Sequence, residues 1–169
     1  MKNLLHLTSR QWFCLLFLGI AIILALSLFF QLGLGYEPCP LCEIQRFAFI
    51  FAEILLLVVI ILHPRRMGIR IYAILTLFAI IIGAVFAGRQ IWLQSLPPSQ
   101  APACGPGLNF MIHNLPLGEA VKEIFTGTAD CALVPWSFLG LSFAGWAMVF
   151  YVLIAMVLVW QLVLPKHKA

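Results

Sequence analysis

The chain has 169 residues, of which 63% are hydrophobic and only 9% charged, against roughly 25% charge in a soluble domain. Its mean hydropathy of +1.07 excludes an ordinary soluble domain, and the small net charge of +4 comes without the basic, aromatic surface of a nucleic-acid binder. What remains is the membrane class, with length for one helical unit and no separate soluble domain.

The first predicted element is a span from Trp12 to Leu34, free of charge along its whole length. Lys2 and Arg10 before it suit a signal peptide. The run is too long for the usual core of roughly 7–15 residues, however, and no small-x-small cleavage site follows, so a retained anchor is expected. A short loop over 35–43 contains Pro38-Cys39-Pro40-Leu41-Cys42. The second span, Ile44 to Leu62, carries Arg46 and Glu53; after a loop over 63–70, the third runs from Ile71 to Gly88. The fourth runs from about Phe143 to Leu164. Each is near the roughly 20 residues that cross about 30 Å of hydrocarbon. The runs are continuous rather than alternating, which excludes a barrel. The predicted fold is therefore an all-α membrane protein: a single domain over 1–169, built as a four-helix bundle.

The long loop over 89–142 is the main polar segment. Pro97-Pro98-Ser99 and Pro102-Ala103-Cys104-Gly105-Pro106-Gly107 make it extended and turn-rich at first. After Pro116, the residues Leu117, Ala120, Val121, Ile124 and Phe125 recur at helical spacing, with Gly127 as the stop. A helix this short lies on the membrane surface with its apolar face down, or packs on the tops of the spans.

Positive charge sets the orientation. Lys2, Arg10, Arg65, Arg66, Arg70, Lys166 and Lys168 fall on one side, and Arg46, Arg89 and Lys122 on the other. Both termini and the 63–70 loop are expected in the cytoplasm. Cys39, Cys42, Cys104 and Cys131 then face the outside, where disulfides persist. Cys14, within the first span, is expected to be a small buried hydrophobe. Four cysteines allow three connectivities; one closes the C-x-x-C pair on itself and leaves Cys104 with Cys131.

Such a pair suits thiol–disulfide exchange. Cys42 precedes the second span and has Arg46 four residues on, on the same helical face; a cation and a helix N-terminus both activate a thiol. Arg46, at the membrane boundary, can also donate to the carbonyl of a lipid-soluble quinone, although a snorkelling arginine would sit there too. Glu53, in mid-span, is either a proton carrier or a neutral or paired group within the bundle. Arg89, with Gln90, ends the third span and is either an interfacial anchor or a wall of the quinone pocket. Two other readings use the same cysteines: one structural zinc, disfavoured by the wide Cys104–Cys131 separation, and a non-catalytic bundle with two static disulfides.

Together, Pro38-Cys39-Pro40-Leu41-Cys42 with Arg46, Cys104 in its proline-rich loop, and Asp130-Cys131-Ala132 followed by Trp136, Phe138-Leu139-Gly140-Leu141 and Trp146 resemble the DsbB family, the bacterial inner-membrane disulfide-bond formation proteins. The resemblance covers nearly the whole chain. It implies a thiol oxidase that reoxidises a periplasmic DsbA-like protein of thioredoxin fold, using ubiquinone or menaquinone, with no metal and no nucleic-acid partner. It further implies that Cys104 forms the mixed disulfide with the partner and that Cys131 is its disulfide mate. Cys39 would exchange with the loop pair, Cys42 would face the quinone, and Arg46 would support quinone and thiolate. A paralogue serving one dedicated partner has the same motifs.

Overall fold

The computed structural model describes residues 9–100, 102, 108–134 and 136–163, with backbone alone at 9, 66, 98, 109, 112, 117 and 120. Cys104 and the terminal lysines Lys2, Lys166 and Lys168 lie outside these residues. The elements are α1 (Ser9–Leu34), α2 (Pro40–Leu62), α3 (Arg66–Gln94), a 3-10 turn at Pro98–Gln100, α4 (Leu108–Asn114), α5 (Leu117–Thr126), α6 (Ala129–Ala132), β1 (Ser137–Phe138), β2 (Leu141–Ser142) and α7 (Phe143–Val163). Helices α1, α2, α3 and α7 are long and apolar enough to cross a membrane. The protein is a helical membrane protein. Leu18, Phe29, Phe47, Phe78 and Met156 are largely exposed on its flanks, an arrangement suited to hydrocarbon rather than water.

α2 packs on α3, α3 on α7, and α1 against α2. The pivot is Tyr151 of α7, which is fully buried. Its ring stacks on Phe49 of α2 at 4.2 Å, and its hydroxyl donates to the Gln45 carbonyl at 2.8 Å. Gly83 of α3 makes room, since a Cβ there would lie 2.3 Å from the Tyr151 ring. Three helices are thus joined around one side chain.

Several boundaries depart from the expected ones. α2 begins at Pro40 rather than near Ile44, because proline at the first helical position loses no hydrogen bond. Cys39 becomes the N-cap, its sulfur accepting from the Cys42 N–H at 3.4 Å. Cys42 therefore sits in the first turn of α2, not in the loop before it. α3 continues past Gly88 to Gln94, its Gly88 facing Met148 of α7. Cys14 is exposed on α1, correcting its expected burial.

The described parts of the long loop fold over the same end of the bundle as Cys39. α5 stops at Gly127 (φ 79°), whose N–H donates to the Glu123 carbonyl at 2.9 Å. Ile124 is buried against Leu41, Leu93, Leu108 and Met111, while Val121 and Phe125 stay exposed. Arg89 is not a wall of the cleft between the spans. It donates to the Phe125 and Thr126 carbonyls at 2.9 and 3.2 Å, satisfying the open end of α5, and lies over the Trp92 ring. A two-residue hairpin, unanticipated in the sequence, pairs Ser137–Phe138 with Leu141–Ser142. Leu139 and Gly140 both take positive φ in its turn, as tight hairpins require.

Candidate active site

Three sulfurs converge where α6 meets the start of α2. The Cys39 and Cys42 sulfurs are 2.8 Å apart, because an N-cap residue and the residue three on share one helix face. Cys131 is delivered by α6, fully buried within the apolar cluster that holds Leu41 and Leu93. Cys39 belongs to the same cluster, so that it has Cys42 beside it and Cys131 packed nearby. Cys39 is therefore the central sulfur of the three.

The surroundings assign protons unequally. Cys39 is driven far up, first by donating its proton to Cys131, then to Cys42, and by burial. Cys131 is pulled down to about 6, chiefly by the hydrogen bond from Cys39, against the opposing effect of burial. Backbone N–H groups of Leu41 and Thr128 and the Thr128 hydroxyl add to the pull. The two shifts run in opposite senses, favouring negative charge on Cys131 and the proton on Cys39.

Two amides inside the bundle complete the floor. Gln45 of α2 and Gln90 of α3 are both buried. Gln45 Nε2 donates to the Leu41 carbonyl at 3.2 Å and to Gln90 Oε1 at 2.7 Å. With its oxygen taken, Gln90 turns its Nε2 to the sulfurs, 3.1 Å from Cys42 and 3.4 Å from Cys39. The orientation follows from the donor and acceptor inventory of the two amides. Sequence reasoning named Gln90 only as the neighbour of Arg89 at the end of the third span, and it passed over Gln45. The available signal was an uncharged amide on each of two apolar helices close to the C-x-x-C pair.

Above this floor lies a cleft of about 400 Å³. Cys39, Cys42, Gln45, Arg46 and Gln90 line its polar side, and Phe30, Tyr36, Trp136, Phe143, Trp146 and Phe150 its aromatic side. Apolar walls with a few convergent polar groups characterise small-molecule sites, and the volume is in their range. Arg46 shares the cleft with Cys42, but its guanidinium is turned to α1: Nε and Nη2 donate to Ser27 Oγ at 3.1 and 2.8 Å, and Nη1 to Gln31 Oε1. The amide of Gln90, not the arginine, reaches the Cys42 sulfur. Glu53 is not among the lining residues, and its buried Oε2 has no hydrogen-bond partner among the described residues.

The chain is similar to proteins of known family. The family described as Disulfide bond formation protein DsbB matches residues 9–161. A Disulfide bond formation protein B of Nitrosococcus oceani is 42% identical over 94% of this chain and 94% of its own length. Its namesake in Methylococcus capsulatus is 45% identical over 84% of this chain and 87% of its own length. That of Marinobacter nauticus is 46% identical over 88% of each.

Proposed function

Because the chain belongs to the DsbB family of membrane disulfide bond formation proteins, we propose that it is a quinone-coupled thiol oxidase of the bacterial inner membrane. In this reading the single four-helix domain has both termini in the cytoplasm and the cysteine end in the periplasm, in line with the excess of arginine and lysine at the other end. Its electron donor is a reduced DsbA-like protein of thioredoxin fold, and its acceptor is ubiquinone.

The observation that carries the reading is the placement of Cys39, between the Cys131 and Cys42 sulfurs and at the edge of an aromatic cleft. The partner's thiolate bonds to Cys104, breaking the Cys104–Cys131 disulfide and releasing Cys131 as thiolate. Cys131 then attacks Cys39, and the Cys39–Cys42 bond breaks with Cys42 leaving as thiolate. The partner's second thiol expels Cys104, which in turn attacks Cys131, restoring the loop disulfide and leaving Cys39 and Cys42 reduced. Each exchange makes one S–S bond and breaks another. Gln90 donates to the departing Cys42 sulfur, and Gln45 keeps that donor pointed. Arg46 holds α1 against α2 through Ser27 and Gln31, keeping a guanidinium at the wall where a quinone carbonyl would be bound. A quinone in this cleft would supply the two-electron, two-proton acceptor for the Cys39–Cys42 dithiol.

The test follows ubiquinone absorbance in detergent with purified protein and a reduced thioredoxin-like partner. Loss of oxidised quinone that requires both Cys104 and Cys42 is the expected result. Quinone that stays oxidised, with the outer cysteines remaining disulfide-bonded, means that the bundle is structural. Supplying menaquinone in parallel distinguishes the two acceptors.

Gln90→Leu removes the donor to both sulfurs and leaves the buried Gln45 amide with only the Leu41 carbonyl as acceptor. A hydrogen bond to a charged group contributes about 1.5–3 kcal/mol, so quinone reduction at saturating partner should fall by about tenfold or more. The KM for the partner should not change. Unchanged turnover would show that the amide is only packing.

A further inference from the structure

Thr128 occupies the N-cap of α6 but does not cap it. An N-cap hydroxyl ordinarily accepts from the N–H two or three residues on. Here the third residue is Cys131, and its N–H is already bonded to the Thr128 carbonyl at 2.9 Å. The hydroxyl turns instead to the Cys131 sulfur, 3.7 Å away, a reach suited to sulfur's larger radius. Thr128 is buried at 2% exposure, so water does not serve this group.

We propose that Thr128 is a catalytic residue of the loop cysteine, its hydroxyl donating to the Cys131 sulfur when that sulfur carries negative charge. The direction of the bond follows from the chemistry. A thiolate has no proton to give, so the hydroxyl must be the donor. A disulfide sulfur is a poor acceptor, and against it the hydroxyl is left almost unpaired. The contact therefore favours Cys131 as a leaving thiolate over Cys131 in a disulfide. When the partner's thiolate bonds to Cys104, the S–S electron pair goes to Cys131 and the hydroxyl meets it there. This rests on the reading of Cys131 as the released half of the loop pair.

The groups around Cys131 are few. Cys39 and Cys42 are the titratable side chains facing it from the start of α2, and Asp130 lies on its own helix. From α3, Gln94 donates to the nearby Leu133 carbonyl, and Arg89 is committed to the end of α5. The Cys131 thiol is already pulled down to about 6, with the Thr128 hydroxyl among the contributors.

The experiment titrates the Cys131 Cβ resonance in fully reduced protein labelled with [3-13C]cysteine, without quinone or partner. The resonance reports ionisation despite burial and is assigned with Cys131→Ala. Thr128→Val keeps the shape and removes the hydroxyl; its midpoint should rise by about one pH unit. Thr128→Ser keeps the hydroxyl and should titrate with the unaltered chain. A valine variant that titrates with the unaltered chain overturns the proposal, and so does a serine variant shifted as far as the valine one, which would assign the effect to packing. If the unaltered protein never reduces quinone, the oxidase reading fails, while the titration still decides whether Thr128 supports the thiolate.

Discussion

Cys39→Ser should abolish thiol-dependent quinone reduction while leaving the bundle folded. Serine keeps the size of cysteine and a hydroxyl that can still donate to Cys131, so the local packing survives. What disappears is the sulfur that, among the described residues, lies beside Cys42 and shares the buried cluster of Cys131. Without it, Cys131 has no disulfide to attack, and Cys42 has no sulfur partner within its turn of α2. The Cys104 side should still engage the reduced partner, so the mixed disulfide should form once and then stall. A maleimide-polyethylene-glycol gel shift after acid quenching would show the stalled complex, and quinone absorbance would show no turnover. The melting temperature should stay near that of the unaltered protein. Retained turnover in Cys39→Ser would mean that electrons pass directly from Cys131 to Cys42 and would remove Cys39 from the path.

The sequence was most legible where physics leaves one solution. Four apolar runs of membrane length, three of them free of charge, must be helices, and the structure has them. Gly127 ends α5 because its positive φ suits a residue without a side chain. Other features were hidden by lipid itself. In water the outward face of a helix is polar, so its buried stripe can be read from spacing. In hydrocarbon the outward face is as apolar as the core. Nothing in the first span therefore indicates that Cys14 faces out while Phe13 and Ile20 face in. The same loss of contrast hid the polar floor of the site. Gln45 and Gln90 meet only because α2 and α3 cross at that level, and no local pattern announces a pairing between residues so far apart. Arg46 was singled out because charge in a span is conspicuous. Its partners Ser27 and Gln31 lie on another helix, so its direction could not be read from its own.

Gly83→Ala should be the most damaging substitution outside the cysteines, for a reason that lies under the site. An added Cβ would stand 2.3 Å from Tyr151 Cζ, 2.4 Å from its hydroxyl oxygen and 2.5 Å from Cε1. The ring has nowhere to go. It is stacked face to face on Phe49, with 4° between the planes, and its hydroxyl is bonded to the Gln45 carbonyl. Relieving the overlap means separating α3 from α7 or tearing Tyr151 from α2. Overpacking typically costs about 1–3 kcal/mol, and loss of the buried hydroxyl's bond adds about 1 kcal/mol or more. The damage should extend beyond stability, because the Gln45 residue that holds Tyr151 by its carbonyl also orients Gln90 by its side chain. Thermal unfolding in detergent should therefore show a lowered midpoint, and quinone reduction should fall even well below that midpoint. Tyr151→Leu in the same chain removes the clash, so the double variant should be less destabilised than the sum of the single variants. A Gly83→Ala protein that melts and turns over like the unaltered chain would show that α3 and α7 can slide apart freely, and that the floor of the site does not depend on their close approach.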